Sequence, residues 1–478
     1  MLILYYNTKD MGGNTVFQNT TQPPIQAGPV NPTPQVESQE PSFPIKGKII
    51  KLSIGILLFV LFIYLIINFV IPRFGPKKEE TVTLTYWGLW EDKQVMQNVI
   101  SDFEKRNPNI KIDYIKQDPK EYRERLATRI LNGTGPDIFR FHNTWFPMFS
   151  DMLLPMSSDT IKKEEFQNNF YTVIQKDLVK NGAIYGIPLE IDTLSLFVNT
   201  DSFKAAGVEV PKTWEEFAKT ARSLTVKDEN NNIKSAGAAL GTFDNITHAP
   251  DIISLLLLQN SANLNNLNST SQNAAEAFNF YISFVKENNV WDEKQDPSIL
   301  AFAKGNLSMF FGYSWDIFII KNANPNLNFA IYPVPHLPDK NISIASYWVE
   351  GVSLKSKHQR ESLLFMKFIS EKETEQKLFS EQAKTRLFGE PYARVDLAES
   401  LKDNPLLYPF IIQAKDAVSS FFASDTYDNG LNFKMNNYLG DAVRSVLGNT
   451  SAETAVEVLD KGINQVLQQY SKSTPVSN

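Results

Sequence analysis

Cysteine is absent from the 478 residues. The chain therefore has no disulfide, thiolate nucleophile, iron–sulfur cluster or thiolate zinc site, and no lipid can be attached through a cysteine. A chain without thiols tolerates either redox compartment. Histidine is nearly as scarce. The four, His142, His248, His336 and His358, are too widely spaced to form a metal-binding pair on one helix. Neither a metal centre nor a cofactor is expected. Positive charge is not in excess either: 47 Lys and Arg face 53 Asp and Glu, for a formal net charge of -6. Without a basic stripe, nucleic acid is not an expected partner.

What remains is an ordinary globular composition, 42% hydrophobic and 21% charged, with 12% aromatic residues. At this length two packed lobes are the default expectation. One segment departs from the soluble pattern. Leu52 to Ile71 reads "LSIGILLFVLFIYLIINFVI" and carries no charge. Twenty residues at about 1.5 Å each span roughly 30 Å, the thickness of a hydrocarbon core. The run is longer than the apolar part of a signal peptide and no small-residue cleavage site follows it, so an uncleaved transmembrane helix over 49–72 is expected. Lys46, Lys48 and Lys51 precede it and Arg73, Lys77 and Lys78 follow it, so charge does not orient it. Residues 1–48 form an expected disordered tail, rich in Pro, Gln, Asn and Thr from residue 12 onward. "MLILYYNTKD" stands apart from that tail, and Met11 is an alternative start. Residues 73–80 read as a linker.

From Thr81 the pattern alternates strand and helix. "TVTLTYW" alternates apolar and polar residues, and Val95, Met96, Val99, Ile100 and Phe103 then share a helical face. "IKIDYI" is a second strand. Asp118 before Pro119 reads as a helix cap, with Tyr122, Leu126 and Ile130 as the stripe that follows. "DIFRF" is a third strand. This β-α-β-α-β order implies right-handed crossovers and a largely parallel sheet. Further on, "PKTWEEF" carries a capping box, Thr213 with Glu216 three residues later. Thr450 or Ser451 caps the last helix.

These segments resemble the extracellular solute-binding proteins of ABC importers, in the sugar-binding branch that includes maltose-binding protein. The resemblance rests on "LTYWGLWED", "FEKRNPNIKIDY", "NGTGPDIF", "YGIPLEIDTLSLFVNTDSFKAAGVEVPKTWEEF", "AFAKGNLSMFFGYSW" and "GNTSAETAVEVLDKGINQVL", in this order. "GPDIF" alone is weak; the ordered series is specific. It implies an α/β, two-lobed periplasmic-binding-protein-like fold with a ligand cleft between the lobes, here preceded by one transmembrane helix. The N-terminal lobe would hold 81–192 and 343–390, and the C-terminal lobe 193–342 and 391–478. The implied function is a membrane-anchored, monomeric, non-catalytic receptor on the extracytoplasmic side of the cell membrane. It would bind a sugar or oligosaccharide by hinge closure and deliver it to an ABC permease. Many relatives are free or held by a lipidated cysteine; a transmembrane helix in its place would keep the binder near its permease.

A sugar cleft needs aromatic faces and in-plane hydrogen-bonding groups. Trp90 and Glu91 follow the first strand, as ligand contacts or, for Glu91, as a helix-start acid. Asn143 and Trp145 follow the third strand; the resemblance gives Asn143 a ligand role, and helix capping is its rival. Glu190 and Asp192 lie in an otherwise apolar strand, where an acid is costly without a partner, and the resemblance gives Asp192 a sugar contact. The resemblance also places Trp315 at a stacking position, with Tyr313 nearby. Trp348 is a contact or core, and Glu350 precedes a glycine that would let the ligand approach the backbone. Asp137 is expected to bond the amides of its own turn rather than the ligand. The acidic set disfavours an anionic ligand. Two other functions stay open at this point: a glycosidase, which needs two carboxyls roughly 5–9.5 Å apart, and a sensor whose closed form engages a membrane receptor or kinase.

Overall fold

The computed structural model describes residues 46–70 and 81–471. The chain divides into two compact units, Met1–Lys78 and Glu79–Asn478. In the first unit, α1 (Lys46–Leu65) runs into a π-helical turn, Ile66–Val70. From Leu52 to Leu65 its large apolar side chains are exposed, Leu52, Phe59 and Phe62 among them. Among the described residues no helix is long and apolar enough to cross a membrane. The expected transmembrane helix is therefore not established by the fold. The tail up to residue 45 and the linker fall outside the described residues.

The second unit opens with the expected alternation. β1 (Val82–Gly88), α2 (Lys93–Arg106), β2 (Ile110–Lys116), α3 (Tyr122–Leu131) and β3 (Ile138–His142) follow in order. β1 pairs in parallel with β2 from Val82↔Ile110 and with β3 at Tyr86↔Ile138. All five apolar residues of the α2 face are buried. Phe365 packs edge-on against both Tyr86 and Phe103, which joins a later helix to strand and to α2. Two details differ from expectation. α3 begins three residues later than the Asp118-Pro119 signal, because Asp118 Oδ1 accepts the Lys120 N–H and closes a turn ahead of the helix. Asp137 does not serve its own turn: its carboxylate accepts the Thr85 N–H of β1 at 2.9 Å and the Ser356 hydroxyl at 2.5 Å.

Two further strands complete this sheet, β4 (Ile187–Pro188) and, much later in sequence, Trp348–Val352; the order is completed below. Between them the chain leaves for a second sheet. β5 (Asp192–Thr193) leads to β6 (Ser195–Asn199), the centre of a three-stranded antiparallel sheet with β7 (Met309–Gly312) and β8 (Phe329–Tyr332). α4 (Trp214–Leu224) follows β6 and opens with the capping box: the Thr213 hydroxyl accepts the Glu216 N–H, and the Glu216 carboxylate accepts the Thr213 N–H at 3.1 Å. The chain returns through β9 (Ser343–Ser346), which pairs with β5 and with β11 (Ala417–Val418), into β10 (Trp348–Val352). The large sheet is thus ordered β2-β1-β3-β10-β4, with β10 antiparallel to β3. Two short stretches, 189–194 and 343–347, carry the chain between the sheets. In the last helix, Ala452–Ser471, the Ser451 hydroxyl accepts the Thr454 N–H.

Candidate functional site

The carboxyl ends of β1, β3 and β7 and the amino end of the antiparallel β10 face a common space, the place where open α/β sheets present ligands. A cavity of about 270 Å³ lies there. Trp90 reaches it from the turn after β1, Trp348 from the start of β10 and Trp315 from the turn after β7. Trp90 meets Trp348 edge-on at 5.4 Å between ring centres, and Tyr427 lies 5.4 Å from Trp90. Trp315 is held by stacking on the buried Tyr313 at 4.4 Å. The cavity thus has aromatic walls fixed by contacts with other rings.

Its polar lining is acidic. Glu190, Asp192, Asp316, Glu390 and Asp425 all line it, and no lining residue is Lys or Arg. Burial pushes Glu190 far above the ordinary carboxylate range; Arg140 opposes this, while Glu91 and Glu390 add to it. Burial likewise raises Asp192, against the N–H groups of Ser314 and Thr193, each donating to it at 2.8 Å. Glu390 is raised by burial against the opposing charge of Arg386, its partner at 2.7 Å. Behind the wall, His248 donates to Asp316 at 2.8 Å. Burial would lower the imidazole, but Asp316, with Asp425 and Asp251, outweighs it and His248 is pushed up to about 9, so it carries a proton at neutral pH. Asp425 and Tyr427 both hold left-handed backbone, φ 53° and 51°. Such conformations cost free energy in residues other than glycine and gather at ligand sites.

Five of the ten candidate residues meet at this cavity: Trp90, Glu190, Asp192, Trp315 and Trp348. The others do not line it. Glu91 and Glu350 converge instead on Arg140, a β3 residue that is 1% exposed. Its guanidinium donates to Glu91 at 2.7 Å and to Glu350 at 2.7 Å through Nε, and lies 3.6 Å from Glu190. Burial alone would raise Glu91, but Arg140 and Arg386 hold it below the ordinary range. Gly351, beside Glu350, leaves room for Leu153 and Phe141 rather than for a ligand: a Cβ there would sit 2.5 Å from Leu153. Asn143 is buried, donating to the Ser419 hydroxyl at 2.8 Å and to Asp177, and it accepts the Tyr347 N–H. It does not cap the following turn; His142 accepts there, from the Thr144 N–H. Trp145 is fully buried, stacked on Phe149 and edge-on to Trp348. Tyr313 donates its hydroxyl to Asp251 and supports Trp315 from behind.

Glu390, Asp425 and Tyr427 were missed by sequence reasoning. They belong to loops of the last third of the chain, where no strand end or cap marks them. Arg140 was also missed. Its one signal was a lone cation in the middle of the apolar strand "DIFRF".

Residues 87–376 match the family described as bacterial extracellular solute-binding protein. The multiple sugar-binding protein of Streptococcus mutans is 23% identical over 349 residues, which covers 70% of this chain and 80% of that protein. Among solved structures, the sugar-binding protein MalE of Xanthomonas citri superposes with a TM-score of 0.68 at 20% identity, over 82% of this chain and 98% of that one. An ABC transporter solute-binding protein of Thermotoga lettingae bound with α-D-tagatose gives 0.62 at 20% identity, over 81% and 100%. These likenesses show the two-lobed α/β fold.

Proposed function

Because the chain belongs to the bacterial extracellular solute-binding proteins, whose members bind substrates and are not enzymes, we propose that it is the carbohydrate-binding component of an ABC importer. The observation that carries this reading is the cavity itself: tryptophan faces at its walls and buried carboxylates between them. Ring faces pack against the C–H patches of a pyranose, and carboxylates accept its hydroxyls. Trp90, Trp315 and Trp348 are the stacking residues; Glu190 and Asp192 are the acceptors. Glu91, Glu350, Asn143, Trp145 and Tyr313 hold these groups in place. Names of relatives that refer to sugars support the choice of ligand class.

The lobes in this reading are 81–192 with 343–390 and 193–342 with 391–478. Closure turns on the crossings at 189–194, at 343–347 and near residue 390, and only the closed form engages the permease. The chain works as a monomer. α1 and the apolar run that continues to Ile71 anchor it in the membrane with the binding unit outside; the apolar side chains exposed on all sides of α1 support this, since a helix apolar all round needs an apolar solvent.

The test is a titration of intrinsic tryptophan fluorescence against mono- and oligosaccharides. A saturable change is expected, weakened about tenfold or more, equivalent to about 1.4 kcal/mol, by Trp315→Ala with little change in melting temperature. Saturation by amino acids or polyamines and by no saccharide would overturn the ligand class.

A further inference from the structure

The lining carboxylates outnumber the cations available to them. Glu190, Asp192, Asp316, Glu390 and Asp425 face the cavity. Against these five stand Arg140, Arg386 and His248. Arg140 is already engaged by Glu91 and Glu350 at hydrogen-bond distance and is only within 3.6 Å of Glu190. His248 serves Asp316 at 2.8 Å and stands 3.7 Å from Asp425. Asp192 has no ion-pair partner among the described residues; its oxygens accept backbone N–H groups.

A second observation points to a ligand. Glu190 is 6% exposed and lines the cavity, yet its Oε2 has no hydrogen-bond partner among the described residues. A buried carboxylate oxygen without a donor is costly, and Glu190 borders the cavity. The carboxylates do not gather into a group able to hold a metal ion among the described residues. They are spread around the walls, between tryptophan faces that also favour a cation. At about 270 Å³ the space suits a small ligand, since drug-sized sites begin at roughly 300 Å³.

Given the carbohydrate reading, on which this inference rests, we propose that the ligand is a cationic saccharide, an amino sugar of one or two rings whose ammonium group is held by Glu190 and Asp192 while its ring lies against Trp90 and Trp315. The ammonium supplies the donor that Glu190 lacks and a countercharge for Asp192. An N-acetylated or fully hydroxylated ring of the same stereochemistry supplies neutral donors only.

The experiment is calorimetric titration of the full chain near neutral pH with glucosamine, galactosamine and mannosamine, the glucosamine disaccharide, and the N-acetyl and hydroxyl counterpart of each. In the series that binds, the free amine is expected to bind at least about tenfold tighter than either counterpart, and the preference should shrink with added salt. Glu190→Gln should bring the three forms close to parity while the neutral form keeps its affinity; Asp192→Asn is the second variant, should the first fail to fold. Equal or tighter binding of the neutral forms in every series overturns the cationic ligand and leaves the carbohydrate reading intact. Binding of no saccharide of any charge overturns both.

Discussion

Arg140 organises the site from behind. It sits directly across from Glu350 in the β3–β10 register and also draws in Glu91 from the turn after β1. Both carboxylates are buried, so removing the guanidinium leaves Glu350 without its cation and Glu91 with the charge of Arg386 alone. Arg140→Met is expected to cost about 3–5 kcal/mol in urea unfolding; a loss below about 1 kcal/mol would show that Glu91 and Glu350 are held by other means. Two histidines set opposite pH limits. His248 titrates at about 9 in the fold against 6.5 free, so its stabilisation is complete below pH 6.5 and is lost as pH rises through about 9. His142 is buried without a countercharge and pressed down to about 3, so its contribution is present above pH 6.5 and lost as pH falls towards 3. Replacing His248 by Gln should flatten the alkaline decline in melting temperature; an unchanged decline would place its cause elsewhere. At this scale the sequence was informative where chemistry follows position. Trp90 and Trp315 sit just past strand ends, and strand ends face the cavity. Glu91 and Glu350 read as ligand groups because their partner lies 49 and 210 residues away in sequence, a distance that no local pattern spans.

Elements were legible where a local signal and the tertiary fold agree. The three opening strands and two helices follow directly from apolar periodicity, and α4 follows from its capping box. Thr213→Ala should cost about 1 kcal/mol of unfolding free energy, read from denaturant titration; no loss would mean that the Glu216 carboxylate holds the helix start alone. Asp118 misled because a proline after a capping residue also closes a turn, and here the turn comes first. The loop holding Asp425 and Tyr427 was not legible. Its left-handed residues are not glycine, so nothing in the sequence marks the bend that turns both side chains to the cavity. No local pattern marks the crossings at 189–194 and 343–347; the lobe boundaries at 192/193 and 342/343 come from the family resemblance alone, and strand pairing shows that neighbours in sequence there lie in different sheets.

At the scale of the whole molecule, the anchor and the receptor make separate claims. The full chain should remain in the membrane fraction after alkaline carbonate extraction, and a chain starting at Glu79 should be released. Release of the full chain would contradict the anchor and leave the receptor untouched. The central claim, a saccharide bound in the aromatic and acidic cavity, is tested most directly by thermal unfolding of the chain against a panel of neutral and amino saccharides. A ligand at 100 times its dissociation constant stabilises a single site by about 2.7 kcal/mol, so at least one saccharide should raise the melting temperature, and Trp315→Ala, binding about tenfold more weakly, should cut that stabilisation to about 1.4 kcal/mol or less at the same concentration. A melting temperature unmoved by every saccharide, or an undiminished rise in Trp315→Ala, would contradict it.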